Sequence, residues 1–86
     1  MEQLEKILKA FASQRRLSLL RILKMNPCIF VDDIAREIGL SYRSTSKHLR
    51  ILYDAGIIDR WQNGFGVVYS VRGTQNPVST MLLSII

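Results

Sequence analysis

The stretch VDDIAREIGLSYRSTSKHLRILYDAG, residues 31–56, decides how the rest of this chain is read. Its spacing predicts two short helices joined by a tight turn. The first, over 31–38, carries Ile34, Ala35 and Ile38 on one side, and Gly39 supplies the left-handed backbone that ends it. Ser41 stands where an N-cap belongs, its hydroxyl free to accept a bond from an orphan amide of the next helix. That second helix is expected over 41–54, stopping at Ala55-Gly56. At about 100° per residue, Thr45, Leu49 and Leu52 share one face, with Tyr42, His48 and Tyr53 at its margins. Arg43, Ser46, Lys47 and Arg50 share the opposite face, and no acidic residue occurs between Ser41 and Tyr53. An apolar back and a short cationic front suit a DNA major groove, so the stretch reads as a helix-turn-helix.

Upstream, Leu4, Ile7, Leu8 and Phe11 fall at i, i+3, i+4, i+7, predicting an amphipathic helix over 2–11. Glu2–Lys6 and Glu5–Lys9 are i,i+4 pairs in the favourable order. Ser13 reads as a new N-cap, giving a second helix over 13–25 with Leu17, Leu20 and Leu23 as its inner stripe, widened by Leu19 and Ile22. Asn26-Pro27 stops it. The apolar CIFV, 28–31, forms either a brief extended segment or a pin for the turn.

Downstream of Gly56 the period changes. IIDRWQ and VVYSVR are rich in β-branched and aromatic residues, and the NGFG between them signals a hairpin over 57–72 with a loop of two or four residues. Asn76-Pro77 then opens a final helix over 77–86 that is almost wholly apolar. A helix so short is unstable alone in water and must be covered by its own domain or another chain.

Eighty-six residues are expected to make one domain, 1–86, and 48% apolar residues make it globular. A charge of +5 and a pI near 9.9 favour polyanionic partners. One cysteine allows no internal disulfide and fits a reducing compartment. With neither a signal-peptide pattern nor an apolar run of about 20 residues, a cytoplasmic protein with no membrane partner is expected.

These residues carry a closer resemblance. FASQRRLSLLRIL at 11–23, IAREIGLSYRSTSKHLRILYDAGII at 34–58 and NGFGVVYSV at 63–71 resemble the second helix, the helix-turn-helix and the wing of the ArsR-type regulators. The resemblance implies an α+β, mainly α, winged helix-turn-helix. It also implies a homodimeric DNA-binding transcriptional regulator whose dimer contacts come from the first and last helices. In metal-sensing members a cysteine pair opens the third helix; the matching positions here are Phe30 and Asp32, with Cys28 alone nearby. One thiolate and one distant histidine do not complete a tetrahedral zinc site, so neither metal nor cofactor is expected. The wing departs too, with Phe65 where members often carry a basic residue after the tip glycine.

The DNA-contact candidates are therefore Ser41, Tyr42, Arg43, Ser44, Ser46, Lys47, Arg50 and Arg60. The dimer candidates are Leu4, Ile7, Leu8, Phe11, Met81, Leu82 and Ile85. His48 reads as a packed, hydrogen-bonded residue, Trp61 and Cys28 as buried, and Arg16 and Arg36 as solvated or in reach of the DNA backbone. Enzyme signatures are lacking: no carboxylate cleft, phosphate loop or Cys/His dyad. A repressor with recognition helix 41–54 in the major groove of double-stranded DNA is the first reading. Its alternative is a winged-helix protein-interaction module, which has no need of a cationic stripe.

Overall fold

In the computed structural model, which describes residues 1–86, the elements run α1 (Glu2–Phe11), α2 (Gln14–Met25), β1 (Ile29–Phe30), α3 (Val31–Ile38), α4 (Tyr42–Asp54), β2 (Ile58–Asn63), β3 (Gly66–Val71) and α5 (Pro77–Ser84). The two-helix stretch forms as expected. Gly39 takes φ 76°, its amide bonded to the Ala35 carbonyl, and the Ser41 hydroxyl accepts from Ser44 N at 3.0 Å. Ser13 caps α2 in the same way through Arg16 N, and Asn76 caps α5 through Val78 N. Within CIFV, Ile29 and Phe30 form β1, which makes the sheet three-stranded and antiparallel in the order β1-β3-β2. This is the expected winged helix-turn-helix, mainly helical.

The wing turn is a two-residue connection, Gly64-Phe65, between the paired Asn63 and Gly66. Only its first central residue, Gly64, has positive φ, at 59°. That is the dihedral pattern of a type II′ turn, so the turn lies one residue later than an Asn-Gly type I′ turn would.

A single apolar cluster fills the space between the helices and the inner sheet face. From α4 it takes Leu49 and Leu52, from α2 Leu19, Leu20 and Leu23, from α1 Ile7, Ala10 and Phe11, and from the sheet Ile58 and Tyr69. The α2 stripe is therefore Leu19, Leu20 and Leu23, while Leu17 lies half-buried at the rim. The cause is tertiary: α2 packs against both α4 and β3, which rotates the covered side beyond a simple stripe. Thr45, also on the core face of α4, is fully buried with its hydroxyl unpartnered. An unpaired buried hydroxyl costs about 1–3 kcal/mol, so Thr45→Val is expected to raise the thermal midpoint by a few degrees. A fall in that midpoint would contradict the assignment.

Several expectations are corrected. Trp61 is not buried against the core but is 41% exposed, because the register sets it across from Val68, in line with Phe30 on the outer sheet face. Arg60, one position earlier, pairs with Tyr69 on the helix-facing side instead. Cys28 is exposed in the turn before β1, where Ile29 alone of its neighbours packs inward. Ile7 and Phe11, expected at a dimer interface, are enclosed by their own protomer. Of the two α1 pairs, Glu5–Lys9 forms, loosely at 3.8 Å, and Glu2–Lys6 does not. Finally, α5 ends at Ser84, two residues early, its last amides tightening to i−3 bonds, Ile85 N to Leu82 O at 3.2 Å and Ile86 N to Leu83 O at 3.4 Å, while the Lys24 ammonium donates to the Leu83 carbonyl at 2.6 Å. No helix is long and apolar enough to cross a membrane.

Candidate nucleic-acid interface

The polarity of α4 departs from that of α1 and α3, though α2 too opens without an acid and with Arg15 and Arg16 in its first turn. α1 and α3 each carry acids in the first turn and a base in the last, Glu2 and Glu5 before Lys9, and Asp32 and Asp33 before Arg36, as the helix dipole favours. α4 is reversed: no acid in its first turn, Arg43 there instead, and Asp54 at its end. Helix stability does not account for that order. A cation placed there suits a polyanionic partner.

The structure brings Tyr42, Arg43, Ser46, Lys47 and Arg50 together, with Ile51, around one shallow depression on the outer side of α4. Arg43 and Lys47 are exposed and take part in none of the ion pairs of the molecule, which leaves both heads free for phosphate or base. Ser46 is half-buried between them. Ser41 is exposed but its oxygen is engaged in capping, and Ser44 contributes its amide to that cap. Arg50 is exposed and paired, its Nε 3.3 Å from both Oδ atoms of Asp54. Sequence reading missed this partner because Asp54 lies one residue beyond the acid-free window.

Arg60 projects from β2 over the ring of Tyr53, 5.3 Å from its centroid, tying the wing to the end of α4. Behind this junction burial pushes the Tyr69 phenol up from its ordinary pKa, opposed by Arg60 and Arg50 and reinforced by Tyr42. The buried Tyr69 phenol thus stays protonated at neutral pH.

Arg16 is not a solvated arginine but a half-buried one bound within the protein. Its Nε donates to Ala10 O at 2.8 Å and Nη2 to Lys9 O at 3.1 Å, closing the end of α1, while Nη1 lies 3.3 Å from His48 Nδ1. Arg36, by contrast, is solvent-exposed as expected, in a surface pair with Asp33 at 2.9 Å. His48 is the packed, hydrogen-bonded residue expected, with Nδ1 accepting and the proton on Nε2. Burial, then the charges of Arg16 and Arg15, hold its pKa below the usual 6.5. The unfolded chain therefore takes up this proton at a higher pH than the folded one. His48 favours the fold fully above pH 6.5, and stability falls as pH drops below 6.5 until the folded group also titrates. Urea midpoints of the wild type and His48→Gln, measured from pH 7.5 to about 5, are expected to converge as pH falls. Parallel curves would exclude the coupling.

No three His, Cys, Asp or Glu side chains gather into a group able to hold a metal ion.

Comparison with known proteins agrees with this geometry. The family described as "Bacterial regulatory protein, arsR family" matches residues 13–60, which include α2, α3 and α4. The HTH-type transcriptional regulator YgaV of Escherichia coli (strain K12) is 34% identical over 71 residues, 83% of this chain and 72% of that protein. The homodimeric winged helix-turn-helix DNA-binding domain Mb0332 of Mycobacterium bovis, described as a possible ArsR-family regulator, superposes with a TM-score of 0.84 at 25% identity, over 98% of this chain and 74% of that one. AntR, an antimony-specific transcriptional repressor, superposes with a TM-score of 0.76 at 25% identity, over 92% of this chain and 68% of that one. With its recognition-helix geometry, its wing and this family match together, the chain belongs to the arsR family of bacterial regulatory proteins and is a DNA-binding transcriptional regulator, not an enzyme.

Proposed function

We propose that the protein is a cytoplasmic homodimeric repressor, a single winged-helix domain, 1–86, whose terminal helices make the dimer. Each protomer lays α4 in a major groove of a partly palindromic operator, the two helices roughly 34 Å apart. Arg43, Ser46, Lys47 and Arg50 make the groove and phosphate contacts, with Ser41, Tyr42, Ser44 and Arg60 at the edges. The observation that carries the reading is the pair of exposed, unpartnered cations, Arg43 and Lys47, on the outer face of a capped helix. Repression is favoured by the likeness to AntR.

The dimer surface is supported by exposed apolar side chains: Leu8 on α1, Met81 on α5 and Ile85 just beyond it, beside half-buried Leu4 and Leu82. Leu82, Ile85 and Ile86 also line a groove with Phe11, Leu17 and Arg21, open to a second protomer. Ile7 and Phe11 support this surface from beneath. Light scattering of the wild type is expected to give twice the protomer mass, and of Ile85→Glu the protomer mass, with the far-ultraviolet spectrum unchanged. A monomeric wild type, or an Ile85→Glu protein that remains dimeric, would contradict the arrangement.

A further inference from the structure

Asp54 is an anomaly on the surface assigned to DNA. Its carboxylate sits at the end of α4, where the dipole disfavours it. Its pairing with Arg50 runs base-then-acid along the helix, the weaker i,i+4 order. Both side chains are exposed, and such pairs contribute little to stability. A negative charge beside a phosphate-binding face also opposes non-specific association.

The geometry of the pair offers a use for it. Both Oδ atoms lie 3.3 Å from Arg50 Nε, and neither Nη atom of Arg50 has any partner. Asp54 has no partner besides Arg50. The carboxylate therefore grips the guanidinium by its inner edge and leaves its outer edge, two parallel Nη donors, open. That outer edge is what meets guanine O6 and N7 in a bidentate contact. A long side chain held in advance loses less freedom on binding.

Resting on the recognition-helix reading above, we propose that Asp54 is a positioning residue for Arg50, holding its outer donors toward a guanine of each operator half-site. Asp54 thereby sets sequence preference while weakening non-specific binding. A residue that only braced the helix would change both affinities together; a positioning carboxylate moves them in opposite directions.

The test selects preferred duplexes from a randomised library with the wild type, Asp54→Asn and Arg50→Ala, and measures each protein against random-sequence duplex by fluorescence anisotropy. The wild type is expected to prefer one guanine per half-site by about 10-fold, within the range of a bidentate contact. Arg50→Ala loses that preference and binds random duplex more weakly. Asp54→Asn loses most of the preference yet binds random duplex at least as tightly as the wild type. The proposal is overturned if Asp54→Asn keeps the guanine preference undiminished. It is equally overturned if Arg50→Ala weakens all sequences alike, which makes Arg50 a phosphate contact. If Arg50→Ala changes neither selection nor random-duplex affinity, the recognition-helix reading falls with it.

Discussion

Leu52→Ala is expected to lower the stability of the fold by about 2–5 kcal/mol, the usual range for emptying a buried leucine site. Leu52 is completely buried, part of the one cluster that joins α4 to α1, α2 and the sheet. Small domains have about 5–15 kcal/mol in total, and a chain this short lies toward the lower end. The variant should therefore unfold at a much lower urea concentration and be partly unfolded at 37 °C. Ile51, its neighbour on the chain, is 42% exposed, and Ile51→Ala is expected to shift stability by no more than about 0.5 kcal/mol. Equal urea midpoints for the two variants would mean that the rotation of α4 about its axis is wrong, and with it the whole DNA-facing surface.

The second large effect concerns that surface. Replacing both Arg43 and Lys47 by alanine is expected to cut affinity for duplex DNA by about 10- to 100-fold at low salt. The same change should flatten the dependence of binding on salt by roughly one unit of slope for each phosphate left without its cation. Neither side chain holds any other part of the fold through an ion pair, so the melting temperature should stay close to that of the wild type. Alanine at Arg43 also removes a cation from the first turn, which helix stability alone would favour. Unchanged affinity in a folded double variant would mean that the cationic front does not meet DNA.

What could be read from the sequence was what local chemistry dictates. Gly39 and Ser41 mark the turn because a left-handed C-cap and a hydroxyl N-cap act within four residues, and the end of α3 and the start of α4 follow from them. The back of α4, Thr45, Leu49 and Leu52, follows from periodicity alone. Features set by partners distant in sequence were not legible. Arg16 reaches back across α1 and over to His48, 32 positions away, and no spacing rule signals such a latch. Trp61 faces outward because of a strand register fixed by β1 and by a turn one residue later than its Asn-Gly signal. In α1 the four apolar positions read as one stripe, whereas the fold divides them, Ile7 and Phe11 inward and Leu8 outward. The Arg50–Asp54 pair lay within reach of the i,i+4 rule, but Asp54 stands one residue past the acid-free run that marked the cationic face.

The most direct measurement is the binding of the wild-type protein to random-sequence duplex DNA by fluorescence anisotropy at about 50 and 200 mM salt, the interval over which phosphate contacts show their effect. A cationic recognition helix on a dimer, the latter checked by light scattering, should bind near the micromolar range at the lower salt. That binding should weaken by about two orders of magnitude or more at the higher salt. A folded protein that does not bind duplex DNA even at about 50 mM salt would contradict this function, and would turn the exposed apolar and cationic faces into surfaces for a protein partner.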